Sequence, residues 1–336
     1  MIHIGIDAMG GDHAPAKIVE GAILATQKDK ELVITLFGKS EEIDASLASL
    51  SYDKQRINIV TTTEVIEGED KPVHAIRKKK DSSLVVALTQ LKEKKLDAVV
   101  SAGNTGALIA GAIFVTGRIR GISRPAITGA YPTIKGPMVT LDIGANADVS
   151  PQHLLEFAKM GSLFSKIAYH KENPTVGLVN IGTEATKGNE LTKAAYALLK
   201  EEKSIRFAGN VEGRDIPKGI VDVLVCDGFT GNTVLKLTEG VADTLFSMLK
   251  QAIESNAKAK LGALMMKDSL KKMKESLNYE EVGGAVLLGV DGVVVKAHGS
   301  SKEKAFSNAI LRAAQYHREG LVDKIKAIVK EESTEK

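Results

Sequence analysis

Ile2-His-Ile-Gly-Ile-Asp-Ala-Met-Gly-Gly-Asp-His-Ala-Pro15 opens the chain with an apolar run that breaks abruptly into two glycines and an aspartate. Residues 2–6 have strand length and strand composition, and residues 14–29 carry apolar side chains at helical spacing. A buried strand that turns at once through Gly10-Gly11-Asp12 into a helix is the unit of a parallel sheet. The unit repeats outward. Apolar runs at 33–37, 57–60, 98–101, 138–142, 175–179, 207–210 and 221–226 predict further strands. Helical spacing at 82–94, 152–165 and 190–201 predicts helices between them. Strands alternating with helices predict an α/β fold with a largely parallel sheet covered on both faces.

Polar, glycine-rich loops stand where such sheets bind ligands, beyond the carboxyl ends of the strands. Ala8-Met-Gly-Gly-Asp12 follows the first strand and Ser101-Ala-Gly-Asn-Thr-Gly-Ala107 a later one. Leu141-Asp-Ile-Gly-Ala-Asn146, Asn180-Ile-Gly-Thr-Glu184, Gly209-Asn-Val-Glu-Gly-Arg-Asp215 and Cys226-Asp-Gly-Phe-Thr-Gly-Asn232 follow others. Turn chemistry alone accounts for Gly and Asn in any one loop. Six together predict one composite cleft.

Composition narrows the class. With 43% hydrophobic and 26% charged residues, the 336-residue chain reads as a globular enzyme. Aromatics at 4%, no Trp and a net charge of +3 argue against a nucleic-acid partner. A single cysteine, Cys226, excludes an internal disulfide and predicts a reducing compartment. The N-terminal residues lack a signal-peptide pattern, and no apolar run reaches the roughly 20 residues of a membrane span. A cytoplasmic protein is expected. No internal repeat or linker is evident, so residues 1–330 are expected as a single α/β domain and 331–336 as a frayed tail.

The stretch at about 239–279 breaks the α/β rhythm. Helical segments at 239–257 and 268–277 flank Leu261-Gly-Ala-Leu-Met-Met266, with Lys258, Lys260, Lys267, Lys271, Lys272 and Lys274 close by. Two readings stay open: helices packed on the core, or a projecting hairpin. In the second, Leu261, Leu264, Met265 and Met266 touch a bilayer or an acyl chain, and the lysines attract anionic headgroups. The basic run Arg77-Lys-Lys-Lys80 is either a solvated helix face or a dock for an acidic protein.

Several chemistries drop out. There is no G-x-G-x-x-G fingerprint, no phosphate-binding P-loop, no H-E-x-x-H pair and no G-x-S-x-G elbow. No cofactor and no metal are expected. Cys226 ends an apolar run beside Asp227, a setting that suits a buried thiol and not a nucleophile. What remains is an inventory of backbone amides, Asn side chains, hydroxyls and a few cations, fit to bind one oxyanion and stabilise another. Lys187 is the candidate cation unless it is a plain surface lysine, and Arg124 the second unless it serves a structural ion pair.

These residues resemble the bacterial phosphate acyltransferase (PlsX) family of phospholipid synthesis. The resemblance rests on Ile6-Asp-Ala-Met-Gly-Gly-Asp-His-Ala-Pro15, Ser101–Ala107, Arg124-Pro-Ala126, Leu141–Asn146, Asn180–Glu184 and Lys187-Gly-Asn-Glu190. Gly209–Asp215, Asp227–Asn232, Gly283-Gly-Ala-Val-Leu-Leu-Gly289 and Ala297-His-Gly-Ser-Ser301 complete it, in order across almost the whole chain. It implies a three-layer α/β/α sandwich similar to phosphotransacetylases and isocitrate or isopropylmalate dehydrogenases, usually a homodimer. It also implies the reaction, in which a long-chain acyl carrier protein and inorganic phosphate give acyl phosphate and free carrier. The acyl phosphate would feed a membrane acyltransferase that acylates glycerol 3-phosphate.

Phosphate is already an anionic nucleophile near neutral pH and a thioester is activated, so no strong base is needed. Lys187 and the loop with Ser101, Asn104 and Thr105 are expected to hold phosphate, and Asn146, Asn180 or Asn232 to donate to the oxyanion. Gly10, Gly11, Asp12, Arg124, Glu184 and Asn189 are expected around the substrates. Asp7, Asp12 and Asp215 are expected to fix loops. His298 is the candidate to protonate the leaving thiolate, since histidine titrates near neutrality, unless it only braces its loop. Expected partners are acyl carrier protein, phosphate, a second copy of the chain and the anionic inner face of the membrane. A short-chain acyl-coenzyme A enzyme and a noncatalytic regulator are the rival readings.

Overall fold

The computed structural model describes residues 1–277 and 283–334, with the side chains at 274–277 and 331–334 outside the description. The first half runs β1 (Ile2–Asp7), α1 (Ala16–Lys28), β2 (Leu32–Gly38), α2 (Ser40–Leu47), β3 (Ile57–Thr61), α3 (Pro72–Lys78), α4 (Ser83–Lys92), β4 (Ala98–Ser101), α5 (Thr105–Gly111) and β5 (Ala126–Ile127). Then come β6 (Gly129–Thr133), β7 (Gly136–Leu141), α6 (Pro151–Tyr169), β8 (Thr175–Asn180), α7 (Glu190–Glu201), β9 (Arg206–Glu212), β10 (Val223–Val225) and α8 (Gly228–Glu254). The chain closes with α9 (Ala257–Met265), α10 (Lys267–Leu277), β11 (Ala285–Leu288), β12 (Val293–Lys296), α11 (Glu303–Arg318) and α12 (Leu321–Thr334).

The strands form two sheets. One has seven strands in the order β3-β2-β1-β4-β12-β11-β5, the other five in the order β6-β7-β10-β8-β9. Pairing is parallel except at β11–β12, β11–β5 and β6–β7. Neighbouring residues of a strand point to opposite faces, so a strand buried on both sides is apolar throughout. In β4, Ala98 and Val100 join the core under α1 and α11, while Val99 joins the core under α3, α4 and α5. Two helical layers thus cover the seven-stranded sheet, the α/β/α arrangement expected. The first core continues through Val139, Leu141, Val176, Leu178 and Val223 to α6 and α7, so one apolar interior joins both sheets.

All eight expected strands are present. Among the described residues four short ones, β5, β6, β11 and β12, are additional. β5 has only two residues, and β11 and β12 flank an Asp291-Gly292 turn inside a stretch that reads as one apolar run. The first arm of the expected hairpin differs in extent. It begins at Gly228 and not near residue 239, because Asp227 caps the helix with its side chain accepting from the Thr230 amide at 2.8 Å. The expected tip is itself helical: Leu261, Leu264 and Met265 lie in α9 and Met266 at its C-cap. The hairpin's last residues beyond 277 lie outside the described residues. α12 continues to Thr334, four residues into the stretch expected as a tail, and residues 335–336 lie outside the description.

Candidate active site

Where the carboxyl ends of both sheets meet, a cleft of about 840 Å³ opens, within the usual range of small-molecule sites. Its floor comes from loops after β1 (Met9, Gly11, Asp12), β4 (Ala102–Gly106) and β12 (Lys296–Ser301, save Ser300). The facing wall is Ile143 and Gly144 after β7, with Asn232, Leu235 and Lys236 on α8. Ile66, Ile109, Ile127, Ile143 and Leu235 give it an apolar side.

Asp7 organises the floor. Its buried carboxylate accepts from Ser83 Oγ at 2.6 Å and Ser101 Oγ at 2.7 Å, and Ser101 Oγ accepts in turn from the Gly103 amide at 3.0 Å. Burial pushes the Asp7 carboxyl up, while these hydrogen bonds and the Lys296 charge oppose the rise. Gly11 stands at φ 110°, a conformation that L side chains rarely adopt, and this lets the first loop lie flat on the second. Asn104 caps α5 through its carbonyl oxygen, and its Nδ2 reaches the carbonyls of Glu67, Gly68 and Asp70 at 2.8–3.3 Å. Lys79 secures the same rim, donating to the Val65 carbonyl at 2.7 Å and to Asp70.

Asp142 organises the facing wall. Its buried carboxylate accepts from the amides of Ile127, Gly144, Ala145 and Asn146 and from Asn146 Nδ2. Burial raises its pKa against those bonds. Asn146 Nδ2 also donates to the Pro125 carbonyl at 2.8 Å, so its amide is spent on loop geometry. Gly231 lets α8 press on this loop, since a Cβ there would lie 1.9 Å from the Asp142 carbonyl oxygen. One residue later, Asn232 faces Gly144 in the cleft. Burial pushes the Cys226 thiol far up, with Asp227 and Asp142 adding to the effect, so it is held as an inert thiol.

Two cations that no sequence motif marks also line the cleft. Lys296 ends β12 at only 9% exposure, and its ammonium donates to the carbonyls of Ala102, at 3.1 Å, and Ala297. Burial pushes it down to about 8, Asp7 and Asp12 oppose that, and Lys236 adds to it. Lys236 pairs with Glu239 at 2.8 Å. The sequence does carry a signal for Lys296: an apolar run, 293–295, followed at once by polar residues, as at the other six loops. Lys236 stands four residues after Asn232, one helical turn on the same face. His298 also lines the cleft, and its Nδ1 lies 2.8 Å from the Ser300 hydroxyl and 3.3 Å from the Ser300 amide.

Of the candidate residues, the structure therefore brings together Gly11, Asp12, Asn104, Thr105, Asn232 and His298 in the cleft, with Gly10 and Ser101 in the layer beneath. Asn180, Glu184, Lys187 and Asn189 share the carboxyl end of β8 and are not among the described residues that line it. There Asn180 Nδ2 donates to the Lys187 carbonyl at 3.1 Å, and Asn189 caps α7. Asp215 pairs with Lys218 at 2.6 Å, outside the cleft, and Arg124 is exposed before β5. Leu261, Leu264, Met265 and Met266 are exposed on and beside α9, and the cleft's apolar side is built from other residues.

Known proteins resemble this chain over almost its whole length. The family profile described as "Fatty acid synthesis protein" matches residues 2–324. A phosphate acyltransferase from Clostridium tetani is 49% identical over 323 residues, covering 96% of each chain. One from Alkaliphilus oremlandii is 53% identical over 313 residues, covering 93% of each. One from Caldicellulosiruptor saccharolyticus is 48% identical, covering 98% of this chain and 99% of its own. Among solved structures, a phosphotransacetylase from Streptococcus pyogenes superposes with a TM-score of 0.61 at 17% identity, covering 94% of this chain and 93% of that one. A branched-chain phosphotransacylase from Enterococcus faecalis superposes at 0.55 and 12% identity, covering 94% and 99%. These two likenesses concern the fold.

Proposed function

The chain belongs to the fatty acid synthesis protein family whose curated relatives are phosphate acyltransferases, and from that premise we propose that it moves a long acyl group from acyl carrier protein onto inorganic phosphate. The observation that carries the reading is the cleft itself: an apolar side for an acyl chain, set against glycine-rich loops, Asn232 and two lysines, with the inert Cys226 outside the lining. A phosphate oxygen attacks the thioester carbonyl carbon, a C–O bond forms, and the tetrahedral oxyanion collapses as the C–S bond breaks. The leaving thiolate takes a proton from the imidazolium form of His298, which becomes neutral imidazole, and the proton that hydrogen phosphate releases as acyl phosphate forms restores the imidazolium. Holding the reactants in line can lower the barrier by roughly 7–11 kcal/mol, and one oxyanion donor adds on the order of 3 kcal/mol. Asn232 is the donor this reading selects.

Lys187, exposed at the carboxyl rim of the five-stranded sheet, is kept as a further cation of the phosphate path. Lys187→Ala is expected to lower turnover on the order of a hundredfold with unchanged melting, and near-normal turnover would remove the assignment. The helical arm supports two further parts of the reading. The exposed stripe Leu237, Val241, Leu245 and Met248 on α8 suits a second copy of the chain, and sedimentation at the mass of one chain would exclude it. The exposed α9 residues suit the inner face of the membrane, where acyl phosphate passes to the next acyltransferase. Among the described residues no helix is long and apolar enough to cross a membrane, so such contact would be peripheral.

The test is acyl phosphate, trapped as a hydroxamate, from purified protein, palmitoyl carrier protein and phosphate. Phosphate-dependent product, much reduced with acetyl-coenzyme A, is the expected result. A folded protein that yields none, or that prefers acetyl-coenzyme A, would overturn the reading.

A further inference from the structure

Lys296 and Lys236 enter the cleft from its two walls, one at the end of a strand of the seven-stranded sheet, the other on α8 beyond the five-stranded sheet. Burying an ammonium is costly unless it is paired. Lys296 has two carbonyls, those of Ala102 and Ala297, and an ammonium carries three donors. One N–H is left for an occupant of the cleft. The buried carboxylate that opposes its desolvation, Asp7, is already engaged by Ser83 and Ser101. Lys236 acts on Lys296 as a like charge. An anion placed between two like charges in a cleft relieves their repulsion, and a cleft holding both concentrates anions.

We propose that Lys296 and Lys236 form a two-sided clamp for the phosphate nucleophile, with Asn232 one turn before Lys236 standing over the carbonyl that phosphate attacks. The inference rests on the phosphate acyltransferase reading and assigns a substrate group to residues that reading left unassigned. A phosphate oxyanion can come from two sources here, free phosphate or the phosphodiester in a carrier protein's prosthetic arm. Charge selects the first. Hydrogen phosphate brings two charges to two lysines, and a phosphodiester brings one. A clamp whose jaws belong to different walls also makes phosphate a bridge between the two sheets.

The experiment compares wild type, Lys296→Met and Lys236→Met by steady-state kinetics, varying phosphate and palmitoyl carrier protein separately. Each is also melted with and without 50 mM phosphate and no acyl donor, about the concentration needed to reveal a weak anion site. Each variant is expected to raise the KM for phosphate about tenfold, the factor for one charge-assisted hydrogen bond, and leave the KM for carrier within about twofold. Each should also lose the phosphate-dependent rise in melting temperature. An unchanged phosphate KM in both variants, or a rise confined to the carrier KM, overturns the clamp, the latter in favour of the phosphodiester. Lys236 is exposed, so its variant folds whatever becomes of Lys296→Met. If wild type makes no acyl phosphate, the reaction is misassigned, while the melting arm still decides whether the lysines bind phosphate.

Discussion

Burial holds the Lys296 ammonium close to its point of titration, pushed down to about 8, and the groups around it set the direction of its pH response. Asp7 from β1 and Asp12 from the next loop favour the charged form, Lys236 from α8 disfavours it, and His298 shares the cleft lining. As pH rises through about 8 the ammonium loses its proton, while phosphate, already a dianion, does not change. The value of kcat/KM for phosphate should therefore fall above pH 8 and level off about tenfold lower, the loss expected of Lys296→Met, because that ratio reports the free enzyme. At saturating phosphate the bound anion favours the charged lysine, so kcat should hold to higher pH. A profile of kcat/KM that stays flat to pH 9.5 would exclude the lysine from phosphate binding. Residue-scale chemistry is only half legible in the sequence. Asn232 and His298 announce themselves through polar loops, but a lone lysine ending an apolar run looks like any strand terminus until the fold buries it. Lys187, which looks like the better cation in the sequence, lies on an exposed loop because β8 is two strands from β7 in the sheet order.

Among the elements, α8 joins the site to the projecting arm. Its first turn is pinned by the Asp227 cap and by the contact of Gly231 with the Asp142 carbonyl; beyond Glu239, Val241, Leu245, Met248 and Leu249 are exposed. A methyl group at Gly231 would meet backbone at 1.9 Å, which no rotamer relieves, so α8 must shift and carry Asn232 and Lys236 with it. Gly231→Ala is expected to cost about 1–3 kcal/mol in chemical denaturation and to depress kcat beyond what that loss of folded protein explains. Unaltered kcat would mean that the helix does not set the catalytic geometry. At the other end, Leu264 and Met265 stand 67% and 84% exposed beside Lys260 and Lys267, an apolar tip with a basic collar. Leu264→Glu with Met265→Glu should abolish co-sedimentation with anionic liposomes and spare acyl transfer in solution; retained sedimentation would refute membrane contact through this tip. The sequence shows the apolar tip and its lysines but not its helical state, because Leu261-Gly-Ala-Leu-Met-Met266 has the composition of a loop anchor and of a short helix alike.

At the scale of the whole molecule, the alternation of strands and helices specifies the class of fold, and the polar loops mark the end at which the cleft lies. Neither shows that the strands divide into two sheets, because the division is made by short antiparallel strands. β5 has two residues, and β6 carries Pro132, so neither reads as a strand by periodicity. The division matters, since the cleft lies between the sheets, and in the proposed reaction both a phosphate and a carrier-borne thioester must reach it. The carrier is an acidic protein and needs a basic approach. Of the run Arg77-Lys78-Lys79-Lys80, Lys79 is consumed by Asp70 and the Val65 carbonyl, while Arg77, Lys78 and Lys80 are exposed. α3 packs beside α5, with Pro72 at its start against Gly106 of the cleft lining, so the three charges lie on and just after the helix next to the entrance. Exposed charges more than a Debye length apart, about 10 Å at 0.1 M salt and 3 Å at 1 M, are largely screened. Raising NaCl from 50 to 500 mM should therefore raise the KM for palmitoyl carrier protein severalfold, through slower association. Arg77→Glu with Lys78→Glu should reproduce that rise at low salt and remove most of the salt dependence, with the KM for phosphate unchanged. A carrier KM indifferent to salt would place docking on apolar contacts, and one sensitive to salt but not to the double variant would move the dock to the lysines of α9 and α10.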